Sequence, residues 1–71
     1  MPAITTAEEA IDTGANLIRK YYTFLHPMTV RKEDQTWLVV FDVGALRVQR
    51  IEVRIDAETG SIMELDGISE S

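Results

Sequence analysis

Trp37-Leu38-Val39-Val40-Phe41-Asp42-Val43 is the stretch from which the rest of the fold is read. It is dense in aromatic and β-branched residues, which suit a pleated, half-buried surface, and so it reads as a strand over 37–43. Side chains alternate with a period of two along a strand. Trp37, Val39, Phe41 and Val43 therefore share one face, and Leu38, Val40 and Asp42 share the other. If the first set faces a covering element, Leu38 and Val40 point outward on a small sheet.

Downstream, Gly44-Ala45 mark a turn and 46–56 reads as a long strand. Its apolar residues change phase, from Leu46 and Val48 to Ile51, Val53 and Ile55. A strict period of two cannot hold both sets, so a β-bulge or bend is expected near Gln49-Arg50. Arg50, Glu52, Arg54 and Asp56 then form a charge ladder on the outward face. Ala57-Glu58-Thr59-Gly60 reads as a hairpin turn with Gly60 at positive φ, followed by a strand over 61–65 and a frayed tail over 67–71. Upstream, 29–33 is a polar strand whose charges suit a sheet edge, and Asp34-Gln35 turn it into the central strand.

The first third of the chain reads as a helix over 6–24. Thr6 and Glu9 have capping-box spacing, and Glu8 and Glu9 place negative charge at the positive end of the helix dipole. Ala7, Ala10, Ile11, Ala15 or Gly14, Ile18 and Tyr22 recur at intervals of three and four, and Leu17, Tyr21 and Leu25 widen the stripe. Pro27 disfavours helical geometry at the residue before it and is expected to end the helix. The fold class that follows is α+β: one N-terminal amphipathic helix packed on a three- to four-stranded antiparallel sheet. The expected core is Ile11, Ile18, Tyr22, Trp37, Val39, Phe41, Ile51, Val53, Ile55 and Ile62.

Seventy-one residues suit a single small domain over 1–71, with a thin core. There is no cysteine, and His26 is the one histidine, so disulfides and the usual zinc sites are excluded. Twelve acidic residues against seven basic give a net charge of -5, which opposes generic binding to nucleic-acid phosphates. The N-terminus lacks the basic start and apolar run of a secretory signal, and the apolar run over 38–41 is far too short to cross a bilayer. The expectation is a cytoplasmic chain without membrane insertion, or an exported, envelope-associated one if a leader has been removed.

Chemistry-bearing residues are sparse. His26, next to Pro27, reads as a cap at the helix C-terminus. No glycine-rich phosphate loop and no nucleophile elbow is present. Asp56, Glu58 and Gly60 alternate as some calcium ligands do, but the further ligands and the distal bidentate glutamate are lacking. An aspartate bonding its own turn explains them better. No catalytic residue, metal ligand or cofactor is therefore expected. Arg31, Arg47, Arg50 and Arg54 suggest a basic stripe interrupted by Glu33 and Glu52. With Leu38 and Val40, the residues Arg50 and Arg54 form the expected partner-binding set.

The second half also carries a family pattern. Trp37-Leu38-Val39-Val40-Phe41-Asp42, followed by Glu52-Val53-Arg54-Ile55-Asp56-Ala57-Glu58-Thr59-Gly60-Ser61-Ile62, resembles a PepSY-type domain, such as those of peptidase propeptides and YpeB-type proteins. The alanine-containing helix before it fits the same pattern, and the resemblance spans about 6–65. It implies a helix packed on a small antiparallel sheet and a non-catalytic, inhibitory or regulatory protein-binding role. The expected partner is thus another protein, or a second copy of this chain as a homodimer. The alternatives are a self-associating structural protein and a small-ligand or metal binder.

Overall fold

The computed structural model describes residues 3–68. Among them, helix α1 (Ala7–Ile18) packs on one face of an antiparallel sheet of β1 (His26–Glu33), β2 (Thr36–Asp42), β3 (Arg50–Asp56) and β4 (Ile62–Ile68), arranged in that order. This is the expected α+β architecture, with four strands. Each strand pairs with its sequence neighbour, as short turns dictate.

The helix starts where the capping box puts it. The Glu9 amide donates to Thr6 Oγ1 (3.2 Å), and Glu9 Oε1 accepts from the amides of Thr6 (3.0 Å) and Thr5 (2.9 Å). It ends sooner than Pro27 alone implies. Arg19 is the C-cap, and the amides of Tyr21 and Tyr22 both donate to the Ile18 carbonyl. Tyr21-Tyr22-Thr23-Phe24 are middling helix formers, and the chain must leave the helix early enough to turn back to β1. His26 consequently lies in β1 opposite Asp42, and the cap role expected for it belongs to Arg19.

The central strand divides as its alternation requires. Trp37, Val39 and Phe41 lie under the helix with Ile51, Val53 and Ile55 of β3, and all six are buried. The helix meets them with small residues. Ala10, Gly14 and Ala15 are buried, and a Cβ added at Gly14 would come within 2.9 Å of the Phe41 ring. Ile18 is buried, whereas Ile11, Tyr22 and Ile62 of the expected core are only partly so. Ile4, Ala10, Ala15, Val43 and Ala57 complete the buried cluster. Ile4 is fixed by its main chain: its amide donates to the Ala57 carbonyl (2.7 Å), and its carbonyl accepts from Trp37 Nε1 (2.9 Å).

The bulge expected near Gln49-Arg50 is not there. β3 begins at Arg50, and residues 43–49 form a loop, so Leu46 and Val48 are exposed loop residues with no strand face to match. Asp42 organises that loop: its Oδ1 accepts from the amides of Gly44 (3.0 Å) and Gln49 (3.1 Å), and the Val43 amide donates to the Gln49 carbonyl. Such local side-chain bonds compete with the sheet ladder and end it. The register breaks fall instead on the two edge strands, where Met28 in β1 and Met63 in β4 are each the extra residue. Gly67 and Ile68, read as tail, extend β4; 69–71 lie outside the described residues. Gly60 takes φ 76° as expected.

Candidate functional site

The four expected partner-binding residues lie on the face away from the helix. By register, Arg31, Leu38, Arg54 and Glu64 form one cross-strand row there. Thr29, Val40, Glu52 and Asp66 form the next, and His26, Asp42 and Arg50 a third. The rows bring Leu38, Val40, Arg50 and Arg54 onto one surface, but that surface is not an open apolar patch. Leu38 is only 5% exposed. Arg31 and Arg54 stand directly opposite it on the flanking strands, and long arginine stems cover apolar surface while their charged ends stay wet. Val40 is half-buried and Arg54 exposed.

The basic stripe is interrupted in the way the sequence suggests. Arg31 pairs with Glu33 and Arg54 with Glu52, both at 3.3 Å. Arg47 lies in the 43–49 loop, away from the ladder. Asp42, flanked by Arg50 and His26, has its carboxyl held below the ordinary aspartate value. The amides of Gly44 and Gln49 are the main cause, and the charge of the Arg50 guanidinium adds to it.

The sequence gives no warning of a second surface, formed where the helix stops covering the sheet. Helix α1 packs on β1, β2 and β3. In the inward row Val30, Val39, Val53 and Leu65, the two central valines are fully buried, whereas Leu65 is 45% exposed. Met63 is more exposed still. Between the helix and the start of β4 runs an open groove of about 290 Å³, lined by Thr13, Asn16, Leu17, Lys20, Gly60 and Ile62.

Over 64–67 of β4 the outward residues are both acids, Glu64 and Asp66. They share a face two residues apart, and the Glu64 carboxyl is raised above its ordinary value, first by a hydrogen bond with Asp66 and then by its charge. Arg54, across the ladder from Glu64, lowers it but does not cancel the effect. Negative charge is therefore crowded along this edge.

The turn residues have structural work. Asp56 Oδ1 accepts from the Glu58 amide (2.8 Å), and the Gly60 amide donates to the Asp56 carbonyl. Among the described residues no group of three or more His, Asp or Glu is placed to hold a metal ion, and no helix is long and apolar enough to cross a membrane. No family model matches the chain, and neither a curated protein nor a solved structure matches it.

Proposed function

We propose that this chain is a non-catalytic protein-interaction module, inhibitory or regulatory toward its partner, of the kind the PepSY resemblance implies. The observation that carries the reading is the incomplete cover of the sheet. The helix seals the inward side chains of β2 and β3 and leaves Leu65 and Met63 of β4 exposed, while an open groove reaches Ile62 at the start of the same strand. Apolar side chains gathered next to a concavity and an edge strand are what protein-binding surfaces offer. The outward set of Leu38, Val40, Arg50 and Arg54 is the lesser surface, because Leu38 is covered and Arg54 is paired.

Panning a random peptide display library against the immobilised chain tests this. Enriched peptides should bind saturably, compete with soluble chain, and lose binding when the chain is unfolded. A library that yields no such ligand, or only ligands that bind the unfolded chain equally well, would count against an interaction module.

A further inference from the structure

Building on the reading above, we propose that the β4 edge takes an extended peptide segment with alternating basic and apolar residues, which adds a fifth strand to the sheet. Its apolar side chains would lie beside Leu65 on the inward face, and its basic side chains beside Glu64 and Asp66.

The two edges of the sheet are treated differently. β1 is guarded by Pro27, by the Met28 bulge, and by Lys32, an inward-pointing charge whose ammonium lies 5.8 Å from the Trp37 ring centre. These are recognised ways of preventing another strand from pairing. β4 has a bulge only at Met63; the residues beyond it, 64–68, pair with β3 in unbroken register. That stretch contains no proline and no basic residue, and its inward residues are Leu65 and Gly67. A Cβ at Gly67 would meet nothing within 4 Å, so the inward side of the edge has room for a neighbouring side chain.

Charge selects the occupant. Strand addition supplies main-chain hydrogen bonds whatever the partner, while side chains alternating between the two faces provide specificity. On the outward face a new strand would lie directly against Glu64 and Asp66, so basic residues match and acidic ones repel. The same argument disfavours a second copy. An antiparallel β4–β4 pair centred on Leu65 would put Glu64 of each chain opposite Asp66 of the other. On the inward face the exposed Leu65, with Leu17 and Ile62 lining the groove at the start of the strand, favours apolar side chains.

The probe is a capped octapeptide of alternating lysine and valine, titrated into the isotope-labelled chain and followed by NMR and amide hydrogen exchange. Saturable binding is expected, with shifts and slowed exchange at 64–68 and shifts at Leu17. A glutamate–valine octapeptide should bind at least about tenfold more weakly, and the double variant Glu64→Lys, Asp66→Lys should reverse that preference. Methylating alternate peptide amides removes main-chain donors without altering the protein, and should abolish binding by the lysine peptide. Failure of that peptide to bind, equal binding of the two peptides, or undiminished binding after methylation would each overturn the proposal. Saturable binding that maps to Val40 and Arg54 would overturn the edge site while leaving an interaction module standing. A stable dimer with β4 amides protected in the absence of peptide would assign the edge to a second copy instead.

Discussion

Trp37 Nε1 donates to the carbonyl of Ile4 at 2.9 Å, joining residues 33 apart in a buried contact. The Ile4 amide in turn donates to Ala57, and the Ala57 amide donates to the Gln35 carbonyl. One chain of bonds thus ties the segment before the helix to the β1–β2 and β3–β4 turns. Trp37→Phe keeps an aromatic ring but leaves the Ile4 carbonyl without this donor. A loss of about 1–2 kcal/mol is expected in urea denaturation. A double-mutant cycle with Ile4→Ala should show coupling above about 0.5 kcal/mol, since the two residues are in contact. An unchanged urea midpoint for Trp37→Phe would mean that the bond contributes nothing to stability.

Phe41 is fully buried at the centre of the sheet, under Gly14. Phe41→Ala should cost about 3–5 kcal/mol, from lost burial plus the cavity left behind. In a domain this small that approaches the whole stability, so the variant is expected to be largely unfolded by circular dichroism at 25 °C. A melt within a few degrees of the parent would contradict the central placement of the ring.

Two glycines should respond differently to alanine. At Gly14 the new methyl would crowd the Phe41 ring, costing about 1–3 kcal/mol, but alanine regains about 1 kcal/mol of helix propensity. The net loss should be small. At Gly44 the methyl would fall 1.8 Å from the Arg47 carbonyl oxygen, which is main chain and cannot rotate away. The 43–49 loop would have to open, with loss of the Val43–Gln49 bond, and about 2–3 kcal/mol is expected. Denaturant midpoints should therefore rank parent, Gly14→Ala, then Gly44→Ala; the reverse order of the two variants would refute the loop geometry.

Acid should act through three carboxyls, in two directions. Backbone amides hold Asp42 and Glu9 below their ordinary values. Each favours the folded state at pH above the ordinary carboxylate range, and that contribution disappears as pH falls through the depressed folded-state value. Glu64 is raised by Asp66, so its ionisation opposes folding. The folded state is favoured below the ordinary glutamate value, and that advantage is lost as pH rises through the elevated one. Glu64→Gln should therefore be more stable than the parent at pH 7, with the difference vanishing near pH 3. Asp42→Asn should be less stable than the parent at pH 7, again converging in acid. Urea midpoints across pH 3–7 read both. A Glu64→Gln difference that does not change with pH would rule out the carboxylate repulsion.

Much of the fold was legible because its signals are local. The Thr6–Glu9 box needs only three residues of spacing, and the structure forms it at that place. Alternation in 37–43 and 51–55 assigned the inward set, and all of its predicted members on β2 and β3 are buried. The site was less legible. Its face alone makes Leu38 an exposed anchor, but it is buried, with arginines opposite it on both neighbouring strands. The phase change at Leu46–Ile51 was a real signal of a broken strand. What it could not show was that Asp42 would cap a loop and so remove Leu46 and Val48 from the ladder altogether.

By itself the amino-acid sequence determined the element types, their order, the helix start and the buried face of the sheet. Periodicity and capping act over a few residues and need no distant partner. Only the tertiary structure decided where the helix stops, that Ile4 belongs to the core, that Leu38 is sealed, and that β4 is the less guarded edge with an uncovered apolar flank. Each of these depends on how far a helix of fixed length reaches across four strands, a distance set by packing between residues far apart in the chain.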